Sequence, residues 1–201
     1  QYLLPGMLAN FSKRHPNTEF RVHETDSNGA VTDVAEHRSD LAFSGSIVPM
    51  SNCNFLPFYE DELILVTPNT EFYQTKQKEG DLSFLRKADF VMRENGSGTK
   101  KEAINLLTQM GLKPEELKVV ARFANTGAIL LSVKEGIGVA IVSRLAARNA
   151  IKNQELLDFP LQENGYFRKI YLVSNNHYPM SNRVKLFLQM MQNHVEKQKI
   201  L

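Results

Sequence analysis

The stretch that governs the fold of this chain is Arg93-Glu94-Asn95-Gly96-Ser97-Gly98-Thr99. It follows an apolar run at 90–92 and precedes a helical pattern, so it predicts a strand end, a small-residue loop and a helix start. Thr99 with Glu102 three residues later is a capping-box pattern, which predicts that the helix begins at Thr99. Apolar residues at helical spacing follow, and Gly111 is placed to end the helix.

The chemistry of this loop suits a small anion. A helix N-terminus carries unpaired N–H groups and the positive end of the helix dipole. Gly96 and Gly98 let the backbone approach a ligand closely, because glycine has no Cβ. A capped turn without a ligand is the alternative, since small residues are common at helix N-termini. The loop by itself leaves both interpretations open.

The composition is that of an ordinary soluble globular protein, with 42% hydrophobic and 23% charged residues in 201. A net charge of +2, from 24 basic and 22 acidic side chains, is too balanced to predict nucleic-acid binding by this chain itself. The single cysteine, Cys53, excludes an internal disulfide and favours a reducing cytosol. The sequence has no apolar run of membrane-spanning length, so we expect a protein without membrane contact, and the lone thiol favours the cytoplasm as its location.

Helices and strands alternate along the first third of the chain. The spacing predicts a helix over 4–11 that Pro16 closes, and a second helix over 30–35. Short strands are predicted at 20–24 and 40–44, and a strand buried on both faces at 62–67. This alternation indicates an α/β lobe. The polar segment that follows Pro68 predicts a crossing into a second lobe.

The second lobe repeats one pattern, in which a strand, a small polar cap and a helix follow one another. It occurs at 90–99 and again where the strand at 119–123 leads to Asn125 and Thr126. Such junctions lie at the carboxyl ends of parallel strands, where clefts form. The two helix N-termini are therefore expected to converge on one ligand. A further strand is predicted at 137–142, capped by Ser143.

Several strings, taken in order, carry a resemblance to a known family. They are Tyr2-Leu3-Leu4-Pro5 with Phe11 and Pro16, Asp40-Leu41-Ala42, the loop Arg93–Thr99, and Glu135-Gly136-Ile137-Gly138-Val139-Ala140-Ile141-Val142-Ser143. Over essentially its whole length the chain resembles the effector-binding domain of LysR-type transcriptional regulators. The resemblance implies two Rossmann-like lobes of the type II periplasmic-binding-protein fold. Lobe I would be 1–67 plus 165–201, and lobe II 68–164.

The resemblance also implies a function. Members sense a small effector between the two lobes and pair as homodimers or homotetramers. They contact DNA through an N-terminal winged helix-turn-helix domain. That domain is absent from these 201 residues, which begin on Gln1 without a Met, so we expect the chain to be part of a longer protein. The resemblance places a further strand ahead of Tyr2-Leu3-Leu4-Pro5, outside these 201 residues, so we expect part of the lobe I half of the pocket to lie outside them as well.

Carried over by position, the resemblance assigns effector contacts in both lobes. In lobe II they are Ser97, Gly98, Thr99, Asn125 and Thr126; in lobe I they are Ser27 and Ser44. Hydroxyls and backbone N–H groups hold an oxyanion or a carboxylate without a buried countercharge. For each group a structural role is the alternative, as a helix cap, a turn or a strand end. Arg93 and Arg122 would add positive potential, or lie on the surface or at a dimer contact.

Catalysis and cofactor binding have little support. The histidines are scattered without metal-ligand spacing, Ser97 lies in no Gly-x-Ser-x-Gly elbow, and its loop is not a Walker loop. We therefore predict no catalytic residue, no metal and no cofactor. Two alternatives share the fold: an extracytoplasmic solute-binding protein of a transporter, and a dehydratase or deaminase of small acids, which would need a titratable group in the cleft. The form of the Arg93–Thr99 loop resembles family members linked to sulfur metabolism, which adds a sulfur oxyanion to the candidate effectors.

Overall fold

The computed structural model describes residues 2–198 of the chain. The helices in this part are α1 (Leu4–Arg14), α2 (Ser27–Ala35), α3 (Glu71–Glu79), α4 (Gly98–Gln109), α5 (Thr126–Lys134), α6 (Arg144–Lys152) and α7 (Asn182–Gln198). The strands are β1 (Ala42–Ser44), β2 (Cys53–Pro68), β3 (Asp89–Arg93), β4 (Lys118–Phe123), β5 (Ala140–Ser143), β6 (Leu156–Phe159) and β7 (Tyr166–Asn175). None of the helices within 2–198 combines the length and apolar character that crossing a bilayer requires.

The chain divides into two compact units. Unit 1 comprises the residues up to Glu60 and those from Lys169 onward, and unit 2 comprises Asp61–Arg168. The lobes predicted from the sequence instead divide after 67 and after 164. The strand expected at 62–67 lies in unit 2, because its residues pair with strands of that unit.

Unit 1 is built from α1, α2, β1, α7 and the parts of β2 and β7 that it contains. Strand β1 pairs antiparallel with β7, with Ala42 opposite Val173. Two groups of buried side chains form the core; they are Met7, Phe58, Leu172 and Met191, and Val31, Val34, Cys53 and Val173. The predicted helix ahead of Pro16 is confirmed as α1. Residues 20–24 lie outside every strand that the described chain forms, so the strand predicted there is wrong.

Unit 2 holds the pair of strands that places the predicted site. Strands β3 and β4 pair in parallel, and Phe90 forms a parallel bridge with Val139 just before β5. Strands β5 and β6 each pair antiparallel with the second half of β2. The ends of β3, β4 and β5 therefore point the same way, and each is followed directly or after a short loop by a helix.

Side chains along β3 alternate between the two cores of unit 2, as the pleat of a strand requires. Phe90 and Met92 pack with Leu106 and Leu107 of α4 in one buried cluster. Val91 packs in a second cluster, with residues of α5 and α6. Because both faces of β3 are covered, its last residue, Arg93, is fixed where the strand ends.

Candidate functional site

The start of α4 is the first part of the candidate site. Its cap is Ser97, whose Oγ accepts the N–H of Lys100 at 3.4 Å, and the helix begins at Gly98. The capping box predicted at Thr99 and Glu102 is wrong, because both side chains bond elsewhere. Thr99 Oγ1 accepts from Arg168 Nη1 at 2.9 Å, and Glu102 Oε2 accepts from the Tyr166 hydroxyl at 2.7 Å.

Two backbone donors remain at this helix end. The N–H of Lys100 bonds to Ser97 Oγ, and the N–H of Lys101 bonds to the Ser97 carbonyl at 3.1 Å. The helix ladder offers no acceptor to the first N–H groups, here those of Gly98 and Thr99. Ser97 and Thr99 are 5% and 9% exposed. The arrangement is that of an anion cradle, with N–H groups and hydroxyls at the positive end of a helix dipole.

The start of α5 is the second part. Asn125 caps it, with Oδ1 accepting the N–H of Ala128 at 2.8 Å. Thr126 follows as the first helical residue and is 7% exposed, while Asn125 is exposed. A hydrogen bond of 3.3 Å from Arg93 Nη1 to Thr126 Oγ1 joins the end of β3 to this helix.

The two helix starts lie at the same edge of the β3–β4 pair. Arg93 is the register partner of Phe123, and the N–H of Glu94 donates to the Phe123 carbonyl at 3.2 Å. Both strands thus end side by side, and their helices begin a few residues later. The structure therefore brings Ser97, Gly98 and Thr99 to the edge that also holds Asn125 and Thr126. We call these five residues the cap cluster.

The charge of Arg93, which lies beside the cap cluster, is balanced by a neighbouring carboxylate. Arg93 Nη2 and Nε donate to the two oxygens of Glu94 at 2.8 and 3.0 Å. Burial raises the pKa of Glu94, but the hydrogen bonds from Arg93 and from the backbone of Glu94, together with the charges of Arg93 and Lys100, outweigh it, so the pKa lies below its ordinary value. Lys100 donates to Asn95 at the rim of the loop. Arg122, the other predicted source of positive potential, is exposed on β4.

A buried ion pair between Arg168 and Asp61 contacts the cap cluster through Thr99. Arg168 Nη2 and Nε donate to Asp61 Oδ2 at 2.9 and 3.0 Å, and Ser143 Oγ donates to Asp61 Oδ1 at 2.5 Å. The side chains of Arg168 and Asp61 are 10% and 5% exposed. Sequence reasoning missed both residues. No local pattern marks them, because they belong to different strands and are separated by 107 positions.

A small cavity lies beside the start of α4. Its volume is about 10 Å³, and Met92, Arg93, Thr99 and Ile141 are among the residues that line it. That is the room for one water molecule, so an organic ligand does not fit. The candidate site is therefore the cap cluster itself, and not this cavity.

The two predicted contacts of the other lobe lie in unit 1. Ser27 is the first residue of α2, behind the cap Asp26, whose Oδ1 accepts the N–H of Gly29 at 2.7 Å. Ser44 ends β1 and is 1% exposed; its hydroxyl donates to the Ser46 carbonyl at 2.6 Å. Ser44 thus has a local structural role, whereas the helix that begins at Ser27 is capped by Asp26. In the described range 2–198, no group of three or more His, Cys, Asp and Glu is placed to hold a metal ion.

Comparison with known proteins finds consistent likenesses. A family model described as LysR substrate binding domain matches residues 1–196. The uncharacterised HTH-type transcriptional regulator MJ0300 of Methanocaldococcus jannaschii is 27% identical over 187 residues, 93% of this chain and 62% of that protein. The HTH-type transcriptional regulator CysL of Bacillus subtilis is 24% identical over 201 residues, 98% of this chain and 65% of that protein. The chain thus spans less than two thirds of the length of either regulator.

Two solved structures have the same fold. The effector-binding domain of QuiR in complex with shikimate superposes with a TM-score of 0.82 at 18% identity, covering 98% of this chain and 91% of that one. The regulatory domain of Synechocystis CcmR in complex with 2-PG gives a TM-score of 0.83 at 19% identity, covering 96% and 91%. At this identity the likeness bears on the fold. The predicted class, an α/β protein of the type II periplasmic-binding-protein fold, is confirmed.

Proposed function

Because the chain belongs to the LysR substrate-binding-domain family, we propose that it is the sensing part of a transcription regulator and that its ligand is a small anion held at the cap cluster. The proposal extends to a homodimer or homotetramer that acts in the cytoplasm. Contact with DNA would be made only by a winged helix-turn-helix domain of the full-length protein.

One observation carries the choice of ligand. Two helices, α4 and α5, begin at one edge of the parallel β3–β4 pair, and a hydrogen bond from Arg93 to Thr126 joins them. Each helix start offers backbone N–H groups that its own ladder leaves unpaired. An oxyanion or a carboxylate matches such donors without needing a buried cation.

The ligands of similar proteins agree with this chemistry. QuiR was solved with shikimate and BenM with benzoate, and both are carboxylates. A sulfur oxyanion, which the form of the Arg93–Thr99 loop suggests, belongs to the same class of acceptor-rich anions. Ser27 and Ser44 remain proposed contacts on the side of unit 1.

Sensing requires that the ligand favour one arrangement of the protein. A ligand of equal affinity for two arrangements shifts neither, however tightly it binds. We therefore expect occupancy of the cap cluster to change the equilibrium between forms of the oligomer, and through it the spacing of the DNA-binding domains. The matching relatives are named as transcription regulators, which supports this function over solute transport or catalysis.

A thermal-shift screen tests the ligand class. Sulfate, sulfite, thiosulfate, phosphate, acetylserine, shikimate and benzoate are the probes, and a raised melting temperature identifies a binder. Calorimetry then compares the chain with the double variant Ser97→Ala/Thr99→Ala, which should bind at least tenfold more weakly. Thr108→Ala is the matched control, since Thr108 lies exposed on the same helix and bonds only its own turn at Ile104. Unchanged affinity of the double variant would place the site elsewhere.

A further inference from the structure

The four side chains of the cap cluster, which are all its residues except Gly98, share one feature: each accepts a hydrogen bond from the protein. Ser97 accepts the N–H of Lys100, and Asn125 Oδ1 accepts the N–H of Ala128. A backbone N–H only donates, so the direction of both bonds is fixed by chemistry. The hydroxyl hydrogen of Ser97 and the amide hydrogens of Asn125 are therefore not used in these bonds.

The two threonines of the cap cluster accept from arginines. Thr99 Oγ1 accepts from Arg168 Nη1 at 2.9 Å, and Thr126 Oγ1 accepts from Arg93 Nη1 at 3.3 Å. A guanidinium has five N–H donors and no acceptor, so neither hydroxyl hydrogen is directed at its arginine. Each hydroxyl keeps its hydrogen for another acceptor.

Arg168 is held more firmly than a single hydrogen bond would hold it. Its Nε and Nη2 are fixed by Asp61, and Asp61 is fixed in turn by the hydroxyl of Ser143. Because the guanidinium is rigid and planar, these hydrogen bonds also fix the position of Nη1, which donates to Thr99. The charge of Arg168 is balanced by Asp61. Arg168 therefore acts on the cap cluster by orienting the Thr99 hydroxyl, and not by adding a net positive charge.

The start of α6 shows the contrast. Ser143 also caps a helix, accepting the N–H of Ala146 at 3.4 Å, but its own hydrogen is donated to Asp61. That helix end presents no hydroxyl donor. The starts of α4 and α5, which share the β3–β4 edge, differ from it in this respect.

We infer that Arg168, held by Asp61, is a positioning residue that fixes the Thr99 hydroxyl as a hydrogen-bond donor, so that the cap cluster selects fully ionised, donor-free anions over neutral analogues of similar shape. This rests on the proposed function, since it concerns the same site. In a neutral analogue that carries its own N–H groups, those groups would face the N–H and O–H donors of the cap cluster. Donors that face each other stay unpaired, and this weakens binding.

Sulfate and sulfamide are a suitable pair of probes, since sulfamide has a similar size but is neutral and carries two amino groups. Binding is followed by the backbone amide NMR signals of Gly98 and Thr99 in the 201-residue chain. We compare the unchanged chain with Arg168→Lys, Thr99→Val and the double variant. Arg168→Lys keeps a cation beside Asp61 but removes the fork that aims at Thr99.

The expected result is a coupled pair of effects. The unchanged chain should prefer sulfate to sulfamide, and Thr99→Val should weaken sulfate binding about tenfold. Arg168→Lys should weaken it about threefold or more when Thr99 is present and leave it unchanged in the Thr99→Val background. The control is Arg144→Lys, because Arg144 also bonds carboxylates in unit 2, those of Glu62 and Asp158, but in the described chain donates to no residue of the cap cluster.

Three other results would contradict either the inference or the proposed site. Equal losses from Arg168→Lys with and without Thr99 would make the arginine merely structural and overturn the inference, as would equal affinity for sulfate and sulfamide. If Arg168→Lys fails to fold, the charge-balanced variant Asp61→Asn/Arg168→Gln takes its place in the same cycle. Failure of sulfate to move the Gly98 and Thr99 signals of the unchanged chain would instead refute the proposed anion site itself.

Discussion

The hydrogen bond between Tyr166 and Glu102 makes a quantitative prediction about stability. The Tyr166 hydroxyl donates to Glu102 Oε2 at 2.7 Å and ties β7 to the first turns of α4. Hydrogen bonds to charged groups stabilise proteins by about 1.5–3 kcal/mol, and the partial exposure of both side chains favours the lower end. Tyr166→Phe should therefore lower the free energy of unfolding by about 1.5 kcal/mol at pH 8.

The size of this penalty should depend on pH. Burial, the hydrogen bond to Glu102 and the charge of Glu102 raise the pKa of Tyr166 to about 12, from an ordinary value of 10.0. The contribution is complete below pH 10, where neither state has lost the proton, and is lost as the pH rises toward 12. At pH 11 the unfolded state is mostly ionised and the folded state is not, which removes about 1.4 kcal/mol. The Tyr166→Phe penalty should then nearly vanish.

Urea denaturation followed by circular dichroism at pH 8 and pH 11 measures both values. The difference between the variant and the unchanged chain cancels the titration of the other tyrosines. Tyr178→Phe is the control; this side chain is 52% exposed and stacks on His37 in unit 1. A Tyr166→Phe penalty that is the same at both pH values would refute the raised pKa of Tyr166.

Two further substitutions test the frame of unit 2. Gly138→Ala should lower the free energy of unfolding, measured in urea, by about 1–3 kcal/mol, because its Cβ would lie 2.3 Å from the carbonyl oxygen of Asp89. Gly6→Ala is the control and should not lower the free energy of unfolding, because no atom lies within 4 Å of its Cβ. The hydrogen bond from Lys76 lowers the pKa of Asp81 to about 2 from 3.8, so its contribution is present above pH 4 and lost as the pH falls toward 2. In thermal melts, Asp81→Asn should therefore lose less stability than the unchanged chain between pH 4 and pH 2.

Local cap chemistry made the site partly predictable. Ser97, Asn125 and Ser143 each accept an N–H three residues ahead, as short polar side chains between a strand and a helix tend to do. The capping box at Thr99 failed for a physical reason. Its two side chains are engaged by Arg168 and Tyr166, which lie 69 and 64 positions away. Local spacing carries no information about partners at that distance.

Two elements were missed because tertiary contacts override their local patterns. Helix α3 has no apolar stripe, and the ring contacts of Phe84 with Tyr73 and Phe72, at 5.3 and 6.2 Å between centroids, attach it to the rest of unit 2. Strand β2 begins nine residues before the apolar run that predicts it, and a proline at position 57 lies inside its first half. Proline is rare in the interior of a strand, so residue propensities do not predict the first half of β2.

The Asp61–Arg168 pair is better explained by orientation than by stability. A buried ion pair is often no more stable than well-packed apolar residues of the same size, because both charges must leave water. The neighbouring bonds of Arg144 to Glu62 and Asp158 involve a side chain that is 40% exposed, whereas Arg168 is 10% exposed. A fixed guanidinium does one thing that an apolar pair does not: it forces Thr99 to accept on one side and donate on the other. Replacing the pair by apolar residues should then preserve folding while reducing the preference of the cap cluster for anions.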